Sequence, residues 1–174
     1  GLLGAVGFDC SVLKGRRFIN LDSEAEGSIW ISCAGGETGI SHLPVTRLEA
    51  KGEKLTVKIS GLMGGHSGAE IDKNRANANS LLGTFLYGLK KKAYYELISV
   101  QGGQKDNAIT RESTAELMIL KEDLEAVKEY CAWIQQAWRE EYAGTDEGIT
   151  VTLTDEGEKE VKVLHPTSKE KVVF

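Results

Sequence analysis

Residues 54–89 read KLTVKISGLMGGHSGAEIDKNRANANSLLGTFLYGL, and the change of apolar period across them decides the fold. Leu55, Val57 and Ile59 alternate with Lys54, Thr56, Lys58 and Ser60, the period of two expected of a half-buried strand. Leu81, Leu82, Phe85, Leu86 and Leu89 then recur at steps that gather apolar side chains on one face of a helix. DKN at 72–74 can cap that helix and KKK at 90–92 suits the negative end of its dipole, which predicts a helix over 74–91. Between strand and helix, Gly61, Gly64, Gly65 and Gly68 surround His66, one of only three histidines.

Upstream, a run from about Val45 followed by AKGEK at 50–54 predicts a turn, so that the first strand becomes a hairpin able to add an edge strand. Downstream, AYYELISVQGG at 93–103 and STAELMILK at 113–121 are two apolar-alternating runs joined by the polar QKDNAITRE, which predicts antiparallel strands with a long loop between them. Leu124, Val127, Cys131, Ile134 and Trp138 line one face of a second helix over 122–141, opposite Glu122, Glu125, Lys128, Glu129 and Arg139, with Gly144 as its stop. GITVTLT at 148–154 gives one more strand. The order strand, helix, strand, strand, helix, strand predicts an α+β fold of the split β-α-β (ferredoxin-like) type: a four-stranded antiparallel sheet with two helices on one face, plus the edge hairpin.

The glycine-rich CAGGETG at 33–39 separates this region from RRFINLD and SIWISC, and sets a boundary between residues 1–36 and 37–174. The chain begins GLLGAVGFDC without methionine or signal peptide and ends in KEKVVF, which reads as mid-strand, so the expectation is a piece cut from a larger protein. The net charge of −5, with basic residues scattered, gives no footprint for nucleic acid, and no apolar run reaches the ~20 residues of a membrane span. Cys10, Cys33 and Cys131 form neither a disulfide framework nor a short metal-ligand spacing, which fits a reducing cytoplasm.

Three stretches could carry chemistry. Glycines around His66 allow tight turns and close approach to a ligand, although a solvated turn histidine fits the same residues; the spacing matches neither a P-loop nor a dinucleotide fingerprint. FINLD predicts a buried strand ending in Asp22, a carboxylate at the strand end where α/β sheets bind ligands, with Glu24 and Glu26 as solvated turn residues. Neither His42 nor His165 stands near Asp22 in a metal-ligand pattern. In the loop at 102–112, Asn107 can donate and accept and Arg111 can grip a carboxylate with two nitrogens, though both residue types are common in solvated turns.

Taken in order, NLDSEAEGSIWISCAGG (20–36), GLMGGHSGAEI (61–71) with NANSLL (77–82), and GGQKDNAITRE (102–112) resemble blocks of the co-catalytic zinc peptidases that include the aminoacyl-histidine dipeptidases. The resemblance extends to about residue 141. It implies a catalytic domain, to which residues 1–36 belong, interrupted by a lid and dimerisation domain, residues 37–174. The parent enzyme it implies is a cytoplasmic dipeptidase acting on Xaa-His and related dipeptides, with two divalent metal ions, zinc, and a homodimer through the lid as a further partner arrangement. A glutamate pair, one a general base, would fall just before Gly1. Of the metal ligands only Asp22 is carried over, so this chain alone is expected to be inactive and to hold no metal tightly. The resemblance makes His66 the lid histidine that stabilises the oxyanion, and Asn107 and Arg111 substrate-holding residues. One departure is Thr110, where the family commonly has proline, which loosens the loop around Asn107 and Arg111. A binding module of the same fold without catalysis is the alternative, and an aminoacylase or tripeptidase relative a third.

Overall fold

The computed structural model describes every residue except 1–3, 5–6, 20, 22–25, 33–36 and 174. It divides into two units, Gly1–Ser41 and His42–Phe174.

In the first unit the described residues form a short 3₁₀ turn, Cys10–Val12, whose first amide is met by the Asp9 carboxylate through Ser11 N–H at 2.9 Å. The buried strand expected to end in Asp22 is not present among the described residues: Phe18, Ile19 and Leu21 are exposed, and so are Ile29, Trp30 and Ile31. A strand needs a neighbour to pair its backbone and cover its face, and none of the described residues pairs with this segment. Asp22 itself lies outside the described residues.

The second unit holds the sheet. Strand β1, Arg47–Ser60, is flanked by β5, Ser113–Ile119, and by β6, Thr150–Leu164; β3, Tyr95–Gly102, lies beyond β5, giving the order β3-β5-β1-β6. All three pairings are antiparallel. The register sets Leu55 opposite Leu117 and Val57 between Ala115 and Leu153, so the apolar alternation of each strand meets that of its neighbour. Helix α1, Ala78–Leu89, and helix α2, Leu124–Glu141, cover this face. Phe85 and Tyr130 pack ring to ring at 5.1 Å between them, and Tyr95 Oη donates to the Leu86 carbonyl at 3.0 Å. The opposite face carries a small apolar cluster of Ile98, Met118 and Val163 beside polar residues, with Lys54 bridging Glu116 at 2.7 Å and Glu156 at 3.1 Å. The sheet order and the two helices on one face agree with the split β-α-β expectation.

Three local expectations are corrected. The turn at AKGEK does not form, and there is no edge hairpin: β1 runs straight through it, with a bulge against β6 between Glu53 and Leu55. Gly52 is there because a Cβ would come within 2.8 Å of the Ile119 carbonyl oxygen, a close strand approach rather than a turn. Helix α1 starts at Ala78, not at 74; Asn74 takes a left-handed φ of 50° that closes a 3₁₀ turn, Ile71–Lys73, and Asn77 caps the helix by accepting from Asn79 N–H at 3.0 Å. The chain end is helical, not extended: α3, Pro166–Val173, opens with proline at its first position and the His165 carbonyl accepting from Ser168 and Lys169 N–H.

Candidate functional site

A second, two-stranded sheet builds the site. Strand β2, Gly65–His66, pairs antiparallel with β4, Ala108–Ile109, in the register Gly65 to Ile109 and His66 to Ala108. Ser67 N–H donates to the Asn107 carbonyl at 3.1 Å, extending the contact. The loop after β1 and the loop between β3 and β5 are thereby joined, and the two sequence-predicted residues His66 and Asn107 become neighbours across a ladder. Arg111 joins them, since its Nε donates to the Leu62 carbonyl at 3.2 Å. Gly64, with φ of 66°, leaves room for it; a Cβ there would fall 2.3 Å from the Arg111 Cγ.

His66 is held on three sides. Its amide donates to Glu70 Oε2 at 2.9 Å, and its carbonyl accepts from the Glu70 amide at 3.1 Å. Its ring Nδ1 accepts from the amides of Gly68 and Ala69 at 3.0 and 3.1 Å. A ring nitrogen that accepts carries no proton, so this tautomer has its proton on Nε2. Among the described residues nothing accepts from Nε2, which leaves an exposed histidine presenting a single N–H donor.

Glu70 supports the loop from below. It pairs with Lys73 and Arg75, each at 2.9 Å, while Arg75 donates in turn to the Gly64 carbonyl. The hydrogen bond from Lys73, then that from the His66 amide, and the Arg75 charge hold the Glu70 carboxyl down at about 2. A Cβ on Gly65 would meet both Arg75 and Glu70, at 2.4 and 2.6 Å, so this glycine lets the ion pair reach beneath the histidine.

Thr110 stands where the resemblance leads one to expect proline. Its carbonyl accepts from the Ala78 amide at 2.9 Å, and its hydroxyl lies 3.4 Å from Asn79 Nδ2. Hydrogen bonds to the start of α1 therefore restrain the loop that carries Asn107 and Arg111, in place of a proline ring.

Two recesses flank the ladder. One of about 320 Å³ is lined by Gly103, Lys105, Ile109, Thr110 and Arg111, and one of about 460 Å³ by Gly61, Met63, Arg111 and Asp146. Arg111 stands in the walls of both. The two loops carry an imidazole N–H, an amide side chain and a guanidinium, groups that suit an anionic or carbonyl-bearing small molecule, and of the three residues Arg111 alone lines the recesses.

Sequence reasoning missed Glu70, Arg75 and Asp146. Glu70 and Arg75 both follow the glycine run, at a five-residue separation that matches no helix pair, and only the folded loop brings them together. Asp146 follows the second helix in TDEG, with nothing local to set it apart from Glu147.

An antiparallel sheet with a split β-α-β connection, carrying a histidine loop laddered to an asparagine loop, defines the class of domain. Residues 57–146, about half of the chain, match the M20 family described as "Peptidase dimerisation domain", and the chain belongs to that family. It is 35% identical over 155 residues to the cytosol non-specific dipeptidase of Escherichia coli (strain K12), covering 88% of this chain. Among solved structures it is similar to the aminoacylhistidine dipeptidase of Vibrio alginolyticus, with a TM-score of 0.66 and 25% identity over 70% of this chain. The chain spans 32% of the length of the first relative and 24% of the second.

Proposed function

We propose that this chain is the lid and dimerisation domain of a cytoplasmic dipeptidase that hydrolyses Xaa-His and related dipeptides, with residues 1–36 belonging to its catalytic domain. The observation that supports this reading most strongly is the β2–β4 ladder, which sets a histidine with a free Nε2–H beside Asn107 and Arg111. As a peptide carbonyl becomes tetrahedral, negative charge grows on its oxygen, and a fixed N–H aimed at that oxygen lowers the barrier. His66 supplies that donor. Asn107 and Arg111 orient the dipeptide, the guanidinium taking its carboxylate. The exposed Phe18, Ile29, Trp30 and Ile31 accord with a segment that belongs to a larger apolar assembly.

Of the ligands for the two zinc ions of this reading, this chain would supply Asp22. Among the described residues no group of three or more His, Cys, Asp or Glu side chains could hold a metal ion, and Asp22 lies outside them. In this reading the lid's part in the reaction falls to His66, Asn107 and Arg111, and the remaining catalytic groups belong to the rest of the parent enzyme. A homodimer forms through β6, which ends the sheet on one side and is mostly exposed over 154–160; at the other end, Lys169 of α3 already donates to the Tyr95 carbonyl of β3. Among the described residues no helix is long and apolar enough to cross a membrane.

His66→Ala in the full-length parent tests the reading. kcat on a Xaa-His dipeptide should fall roughly 10²–10³-fold, the usual effect of losing one oxyanion donor, with a much smaller change in KM and unchanged metal content. A normal kcat would return His66 to a solvated turn residue, and lost metal would make it a ligand.

A further inference from the structure

One carboxylate holds both ends of the loop that carries His66. Asp146 Oδ1 accepts the amide of Met63 at 2.6 Å, and Oδ2 accepts the amide of Ala76 at 2.8 Å. The residue is only 2% exposed and, among the described residues, makes no ion pair. A buried carboxylate without a cation is expensive unless its oxygens are met by hydrogen bonds, and here those bonds come from two backbone positions that bracket residues 64–75. Asp146 is itself fixed to the end of α2: its amide donates to the Tyr142 carbonyl at 2.9 Å, and its carbonyl accepts from Ile149 at 3.2 Å. Arg139 Nε, in the last turn of α2, donates to the Ile149 carbonyl at 2.7 Å.

The same turn touches the loop a second time. Gly61, with φ of 81°, and Gly148 approach so closely that a Cβ on Gly61 would lie 2.0 Å from the Gly148 oxygen. Leu62, between Gly61 and Met63, offers the carbonyl that binds Arg111. The chain from 61 to 63 is therefore seated on the α2 turn just where it sets the start of the His66 loop and the anchor of Arg111.

Resting on the reading of His66 as an oxyanion donor, we propose that Asp146 is the positioning residue of this site. It acts through the backbone of Met63 and Ala76, locking the loop base to α2 so that Nε2–H of His66 and the guanidinium of Arg111 stand at a fixed separation. It touches no substrate and moves no proton.

Asp146→Asn keeps the shape but puts an NH₂ group against one of two N–H donors. In the full-length parent, kcat should fall by up to about 10²-fold, the effect of a small misplacement of a catalytic group. In the His66→Ala background the same change should lower kcat less than about twofold, because the oxyanion donor it positions is gone and what remains, the placing of Arg111 for substrate binding, is read in KM. In the 174-residue chain, ¹⁵N spectra of the His66 ring should lose the accepting Nδ1 signature and average toward mixed tautomers. An equal loss of kcat in both backgrounds means that Asp146 acts through stability alone and overturns the proposal, as does an unchanged ring spectrum. If His66→Ala itself leaves kcat normal, the oxyanion reading fails, and the ring spectrum still decides whether Asp146 sets the loop. Should Asp146→Asn not fold, amide exchange in the unmodified chain decides: Met63 and Ala76 must exchange as slowly as core amides, and exchange at the rate of an open loop overturns the proposal.

Discussion

The sheet with its helices and the loops that carry His66 lie in one unit of the chain but are held by different chemistry. Leu55, Val57, Ile59, Leu82, Phe85, Leu89, Leu97 and Leu117 are buried almost completely, and apolar surface removed from water holds them together. The His66 loop has little such surface; Met63, Ile71 and His66 are exposed, and its shape comes from Asp146, Glu70, Arg75 and two backbone ladder positions. The comparison teaches that the body can be damaged only by unfolding it, whereas the site can be displaced while the body stays intact.

The largest expected effect lies in the body. Phe85 is fully buried and packs on Tyr130, so Phe85→Ala should lower unfolding free energy by about 3–5 kcal/mol in denaturant titrations. A loss below ~1 kcal/mol would show that the two helices are not held to each other by this contact.

Next comes the junction between the regions. Gly61→Ala sets a Cβ both at a left-handed φ and into the Gly148 backbone, and should destabilise by about 1–3 kcal/mol while moving the ¹⁵N–¹H signals of Met63 and His66 more than those of β3. Shifts spread evenly over the sheet would mean that the loop is part of the body and would erase the distinction.

How far the two regions can be read from sequence follows the same line. Strand and helix periodicity is a local record of burial, and so Leu55 to Ile59, Leu81 to Leu89 and Val127 to Trp138 announce the sheet and both helices. Gly52 misleads because a glycine needed for close strand approach has the same letter as one needed for a turn. His66, Asn107 and Arg111 are individually legible as polar residues among glycines. Their meeting is not, because a two-residue ladder between segments some forty residues apart leaves no periodic mark. Asp146 is least legible, since its partners are backbone amides, which every sequence supplies everywhere.

The smallest expected effect is on pH. With Glu70 held at about 2, against an ordinary value of 4.5, the folded loop binds fewer protons than the unfolded one. The tether to the His66 amide is fully present above pH ~4.5 and is lost as pH falls toward 2. The His66 amide resonance should shift with a midpoint near 2. A midpoint at the ordinary carboxylate value would show that Lys73, Arg75 and the His66 amide do not hold Glu70 in solution.

The central claim is that the separately tethered loop presents His66 as a donor to an oxyanion, and its most direct test is a crystal structure of the full-length parent with a phosphinic dipeptide analogue, whose P–O⁻ oxygens stand for the tetrahedral intermediate. The account predicts His66 Nε2 at about 2.7–3.1 Å from one of those oxygens, with Nδ1 still accepting from the amides of Gly68 and Ala69. His66 standing beyond hydrogen-bond reach of the analogue, or bound to a metal ion, would contradict it.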